Sequence, residues 1–521
     1  MSGDSKGCVI ALDIGTTKIK CQILNEFVTP VGSAYRNVKL LYPKPGYVEI
    51  SPEQLWDDIL FVIKTAISDG CISIQDVKSI GISTQRATFI TWRKSNGKTL
   101  HNFITWKDMR TKSFAKDVNK YWTIRILKFA AFIAHFFTRN TKMFVASRLK
   151  FMSNHTSIRL MWCLLNMPDV KQALSENDIM FGTLDTWLLY KLTNCQTYVT
   201  DISNASATGL FDPFTLKWGI MTTLLNIPKE ILPDVVENNY NFGDVDPSIL
   251  GRSIKIGCVI SDQSSSMLGA CCFRKDDIKI TLGTGAFLNV NTGNSIHGSS
   301  GGMYPLVGWE FKNEQVAYLS EVPCNDSGSL IEWALESDLI ESTDDLTKLI
   351  ARTEDNGGVY YIAAFSGLGP PINDEQATSG FMGIKPTTRK EHLIRAILES
   401  IVYRVALTVN HLISERPAKY EKLRVDGGVS RNDFICQMLA DITGLKIERL
   451  ASTDLSIIGA GFLSGISCGL WENQTDLMKY IKLEKTFDPC HDEFRRRKYA
   501  EEMNKWLKAA LRFKNWNEDN C

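Results

Sequence analysis

Two strand–loop–strand units of one design, the first opening the chain and the second opening its latter half, do most to limit what this sequence can fold into. The first joins the apolar run 8–12 to the alternating Ile19, Cys21 and Ile23 through residues 13–17. The second joins residues 278–282 to residues 286–290 through Gly283-Thr284-Gly285. Apolar alternation at period two predicts strands, and a short Gly/Thr connection predicts a β-hairpin with one buried face. Elsewhere strands and helices alternate. The pattern predicts a helix over 51–66 capped by Ser51, buried strands over 80–83 and 256–260, and a strand over 359–363. It then predicts a long helix over 389–414, a strand over 422–425, and helices over 433–443 and 492–511. This is the α/β signature. A chain of 521 residues exceeds the size of about 250–300 at which one core stops growing, so two domains are expected. A boundary near residue 270 gives 1–270 and 271–521, each opening with the same hairpin, as an ancient duplication would leave them.

Composition removes several function classes. The 59 basic and 58 acidic side chains leave a formal charge of +1, which argues against a nucleic-acid partner. Residues 1–7 are polar and lead straight into a strand, so no signal peptide is expected, and no apolar run reaches the roughly 20 residues of a membrane span. The 13 cysteines form no Cys-x-x-Cys pair. They read as thiols in a reducing compartment, and the expected localisation is cytoplasmic.

Four loops carry candidate chemistry. In Asp13-Ile14-Gly15-Thr16-Thr17, glycine allows close approach of a ligand, backbone amides and hydroxyls suit phosphate oxygens, and Asp13 suits Mg²⁺. Alone, this reads better as an ordinary turn. Two such loops, each opening one half, could grip one triphosphate from both sides. Ser261-Asp262-Gln263 follows a buried strand; it is either a helix cap or a carboxylate at the strand end where open α/β sheets bind ligands and accept a proton. Asp426-Gly427-Gly428 joins strand to helix, as a tight turn or as a seat for a flat ring.

In their order along the chain these segments resemble the FGGY carbohydrate kinases, and within them the glycerol kinase branch. The markers include Leu12-Asp13-Ile14-Gly15-Thr16-Thr17, Ser83-Thr84-Gln85-Arg86, Trp106-Lys107-Asp108-Met109-Arg110, Gly182-Thr183-Leu184-Asp185, Ser261-Asp262-Gln263, Gly283-Thr284-Gly285, Phe365-Ser366-Gly367-Leu368 and Arg424-Val425-Asp426-Gly427-Gly428. The resemblance implies a duplicated, two-domain, actin-like (ribonuclease H-like) ATPase fold that closes a cleft on Mg-ATP and a polyol or sugar. It places Thr16, Thr17, Lys20, Gly283, Thr284, Gly328, Glu332, Gly428 and Asn432 at the nucleotide, Asp13 beside Mg²⁺, and Arg86, Trp106, Asp262 and Gln263 around the polyol. Asp262 is then the base. Three positions depart from the branch. Ala87 replaces a glutamate that accepts hydrogen bonds from glycerol, no tyrosine lies in residues 151–155, and Glu332 replaces a glutamine.

The resemblance does not account for residues 112–150, which carry nine Lys or Arg against one acid, Asp117. A basic amphipathic helix there suits an anionic membrane surface or a protein partner. The plainer expectation, which we take, is that Phe129, Phe132, Ile133 and Phe136 pack on the small-molecule domain while the charges stay solvated. His135 has no companion at metal-ligand spacing and is read as structural.

The expected activity is ATP-dependent phosphorylation of glycerol to sn-glycerol 3-phosphate, with a kinase for another polyol or sugar, or a weakly catalytic nucleotide-binding regulator, as alternatives. A small polyol is the expected partner, and a homo-oligomer is compatible with the sequence.

Overall fold

In a computed structural model, residues 7–517 are described except 313 and 325; the reading of residues 1–6 falls outside them. The chain forms two mixed sheets of matching strand order. The first runs Asp244–Val245, Ile254–Ser261, Val77–Thr84, Cys8–Ile14, Lys18–Leu24, Pro30–Asn37. Its opening hairpin is antiparallel, and Val77–Thr84 runs parallel to both Cys8–Ile14 and Ile254–Ser261. The second sheet repeats the plan. The hairpin Ile278–Leu282 and Ala286–Gly293 is followed on its far side by the parallel strands Lys422–Asp426 and Lys446–Leu450. The third position is filled by Ala317–Pro323, the return strand of an extra hairpin with Tyr304–Trp309.

The opening strand Cys8–Ile14 is buried on both faces rather than one. Its alternate residues explain this. Ile10 and Leu12 pack with Leu55, Ile59, Val62 and Ile63 of the helix Pro52–Asp69, whose N-cap Ser51 accepts from Gln54 N. Val9 and Ala11 face the other way, into a core with Leu455, Ile458 and Phe462 of the helix Leu455–Ser467. Full burial of each such side chain stabilises by about 1.5–3 kcal/mol, so a central strand can be apolar throughout.

That second helix comes from the latter half of the sequence yet packs on the first sheet. The approach is close enough that a Cβ on Gly81 would lie 2.1 Å from Ala460 O. Gly81→Ala therefore forces backbone against backbone. We expect it to lower the thermal midpoint by a loss of about 1–3 kcal/mol, and an unchanged melting curve would rule out this packing.

The helix Lys390–Glu415, the one described helix long and apolar enough to cross a membrane, has 78% of that apolar window buried in the protein. The described cysteines are all free.

The segment 112–150 departs from expectation. It forms the helices Lys112–Val118, Trp122–Thr138 and Thr141–Ser147. Phe129, Phe132, Ile133 and Phe136 do not pack on a domain but are exposed. Only Ile124 and Ala131 of the middle helix are buried, on the opposite side from the aromatic stripe. The short neighbouring helix, which meets it through the His135 and Phe144 rings at 5.1 Å, is too small to cover both faces. His135 faces Asn140 O at 3.1 Å, a structural contact.

Candidate active site

Three parallel strands of the first sheet end together, with Ile14, Thr84 and Ser261 in register. Whatever follows each strand is thereby gathered at one edge: Gly15 and Thr16, then Gln85 and Arg86, then Asp262. In the second sheet Thr281 and Asp426 are paired, which brings Gly283 beside Gly427. Gly427 adopts φ 89°, and a Cβ there would meet Leu282 O at 2.4 Å, so only glycine fits.

A cavity of about 1250 Å³ lies between the halves and is lined by Lys20, Gly283, Thr284, Gly328, Glu332, Gly428 and Asn432, together with Lys18 and Asp454. Seven of the nine expected nucleotide residues thus share one wall-to-wall space. Gly328 opens the helix Gly328–Glu336 and its N–H donates to Gly283 O at 2.8 Å, locking the second Gly/Thr loop to a helix N-terminus. Asn432 caps the helix Asp433–Thr443 by accepting from Phe434 N. Thr17 is exposed at the hairpin turn. Thr16 is drawn instead toward the acceptor side: its Oγ1 accepts from Trp106 Nε1 at 2.8 Å and donates to Gln85 Oε1 at 3.3 Å.

The acceptor side centres on Asp262. It is the first residue of the helix Asp262–Gly269 and accepts from Gln263 N at 2.7 Å, so the helix-start and strand-end readings describe the same residue. Its side chain keeps 27% of its surface open, and Arg86 Nε stands 3.6 Å from it. Burial pushes its carboxyl up to about 6, Asp13 and Glu321 add to that rise, and Arg86 opposes it. Gln263 Oε1 accepts from Asn289 Nδ2 at 3.2 Å. Trp106 meets Phe287 of the second sheet edge-on at 6.4 Å, closing the cleft from both halves. Ala87 sits at φ 60°, its carbonyl held by the buried Arg159 and by Thr156.

Asp13 accepts from Ser83 Oγ at 2.7 Å and from Ser456 Oγ at 2.9 Å, and burial raises its carboxyl. No group of three or more metal-ligating side chains occurs among the described residues. One carboxylate supplemented by phosphate oxygens and water is a donor set that suits Mg²⁺.

Sequence reasoning missed Glu321, Asp454 and Ser456. Glu321 Oε1 and Oε2 both accept from Arg86 Nη2 at 2.7 Å. Asp454 pairs with Lys20, which lies opposite Asp13 in the hairpin register. A signal existed for Glu321, the one charged residue inside the largely apolar strand Ala317–Pro323; the other two sit at an unremarkable helix start.

The FGGY family of carbohydrate kinases matches by its N-terminal domain over residues 8–269 and by its C-terminal domain over 278–468. Human glycerol kinase 5 is 42% identical over 511 residues, covering 98% of this chain and 96% of that protein. Glycerol kinase 2 of Thermotoga maritima is 33% identical over 98% of this chain and 99% of its own length. Among solved structures, Plasmodium falciparum glycerol kinase with ADP superposes with a TM-score of 0.85 at 27% identity, over 97% of this chain and 98% of that one. Gluconate kinase from Lactobacillus acidophilus shares the fold, with a TM-score of 0.81 at 21% identity over 97% of this chain and 98% of that one. The chain belongs to the FGGY family of carbohydrate kinases and is a phosphotransferase with an alcohol group as acceptor.

Proposed function

We propose that the chain transfers the γ-phosphoryl group of ATP to a terminal hydroxyl of glycerol, giving sn-glycerol 3-phosphate and ADP. The observation that carries this reading is Asp262, a part-open carboxylate raised to about 6 and set against Arg86 at the edge where the parallel strands end. It takes the hydroxyl proton as the substrate oxygen bonds to the γ-phosphorus and the bond from that phosphorus to the ADP oxygen breaks. A loose phosphoryl-transfer transition state asks mainly for positioning and charge neutralisation. Arg86, Trp106 and Gln263 hold the polyol. Thr16, Thr17, Lys20, Gly283, Thr284 and Gly328 hold phosphates, and Glu332, Gly428 and Asn432 line the adenosine end. Mg²⁺, held at Asp13 through water, would supply positive charge to the phosphates when bound.

One observation favours a second reading, a different polyol or sugar: Ala87 offers no side-chain acceptor. Turnover should be scored by ADP release over glycerol, dihydroxyacetone, pentitols and ketoses. Glycerol is expected to give the highest kcat/KM, and a ketose or pentitol ahead of it would replace glycerol as the substrate. A thermal shift with Mg-ATP but no turnover on any alcohol would favour the regulatory alternative. Ala87→Glu should lower the glycerol KM about ten- to hundredfold, the worth of one charged hydrogen bond. An unchanged KM would mean that the cleft already supplies that acceptor, with Glu321 the candidate.

A further inference from the structure

The helix Trp122–Thr138 leaves a large apolar face without cover. Trp122, Ile126, Phe129, Ile133 and Phe136 recur at intervals of four, three, four and three and so form one stripe along it. Trp122 is 71% exposed, Phe129 67% and Phe136 58%. Phe132 and Phe137 flank the stripe and are also exposed. An isolated exposed aromatic needs no explanation, but seven large apolar residues exposed on one helix mark a docking surface.

The charges decide what docks. No acid occurs from residue 118 to residue 150, while Arg125, Lys128 and Arg139 lie on or beside this helix. Among the described residues none of the three has a carboxylate partner. The other basic groups are partly spoken for, with Lys120 on Asp117, Lys142 on Asp212 and Lys150 on Glu375. A second copy of the chain is a poor cover. A two-fold axis would set stripe on stripe and bring Arg125, Lys128 and Arg139 near their own copies, with no nearby acid to answer them. A surface that is apolar within and negatively charged at its rim answers both features.

We propose that the helix Trp122–Thr138 docks this kinase on an anionic phospholipid bilayer. Seventeen helical residues extend about 25 Å, short of the roughly 30 Å hydrocarbon core, so the helix lies in the interface with its stripe inserted. Lys and Arg at its edges then meet the anionic headgroups. The short helix Thr141–Ser147 that follows it is tied to the body at fixed points. Lys142 reaches Asp212 of the first half at 2.7 Å, and Phe144 packs on Gly298 of the second, where an added Cβ would lie 2.8 Å from its ring. Docking therefore holds the whole enzyme in one orientation on the membrane.

The test is flotation of the full-length chain with phosphatidylcholine vesicles and with vesicles that also contain phosphatidylserine. The chain should float with the anionic vesicles only, and less as salt rises. Phe129→Glu with Phe136→Glu, and separately Arg125→Gln with Lys128→Gln and Arg139→Gln, should each cut partitioning at least about tenfold. Phe129, Phe136, Arg125 and Arg139 are exposed and Lys128 is half-buried, and all five lie outside the cleft, so phosphoryl transfer and thermal midpoint should stay as in the unsubstituted chain. The proposal is overturned if the chain does not float with anionic vesicles, or if the Phe129→Glu/Phe136→Glu chain floats equally well. It is also overturned if sedimentation shows a dimer that this pair of substitutions dissociates while vesicles go unbound.

Discussion

Asp262→Asn is expected to lower kcat about a hundred- to ten-thousandfold while nucleotide binding, read by thermal shift with Mg-ATP, is retained. An asparagine of the same shape keeps the contact with Gln263 N but cannot take a proton. The same carboxylate sets the acid limb of the pH profile. With its carboxyl raised to about 6, kcat/KM should fall close to tenfold per pH unit below that point and level off above it. Stability moves the other way. The folded value, about 6, lies above the ordinary 3.8, so the native state holds this proton more tightly than the unfolded chain does. The resulting stabilisation is complete below pH about 4 and is lost as pH rises through about 6, leaving a charged site that costs on the order of 1–3 kcal/mol at neutral pH. Asp262→Asn should therefore melt at or above the native midpoint at pH 7, with the gap closing toward pH 4. Turnover retained by the Asp262→Asn enzyme would remove the proposed base, and a marked fall in its midpoint would assign Asp262 a structural role instead.

The parts of this molecule that the sequence made legible are those set by local spacing. The two hairpins, the capped helix after Ser51 and the strand before Asp262 each occupy a continuous stretch whose period shows it. The loop residues follow, because strands that end in register deliver Gly15, Arg86 and Asp262 to one edge. Contacts that join distant stretches left no such trace. Glu321 reaches Arg86 across 235 positions, Lys20 reaches Asp454 across 434, and Ser456 reaches Asp13 across 443. These depend on how the two sheets and the helix Leu455–Ser467 are packed, which no period encodes. The insert shows the opposite limit. Its 3.6-residue period identified an apolar stripe at Phe129, Ile133 and Phe136, but a period reports that one face is apolar and not what covers it. We expected the protein's own core; the face is open.

Arg86→Met should be among the most destabilising single changes in the cleft, and the reason lies in Glu321. That carboxylate is 8% exposed and both of its oxygens accept from Arg86 Nη2 at 2.7 Å. Its strand neighbours Asn289 and Tyr304 bring no opposing charge. Removing the guanidinium strands a buried charge, which costs about 3–5 kcal/mol, and a fall in the denaturant midpoint of that size is the first expected result. The second is kinetic. Arg86 also opposes the rise of the Asp262 carboxyl, so without it the acid limb of the pH profile should move above 6, and the KM for the alcohol should rise with the loss of a charged contact. Arg86→Met combined with Glu321→Gln separates these effects, because it removes both charges together. Stability should return most of the way and the pH shift in small part, because Glu321 also raises the Asp262 carboxyl, while KM does not return. A double variant as unstable as the single one would show that Arg86 holds the fold by packing rather than by charge, and a native KM in either variant would take Arg86 out of the substrate grip.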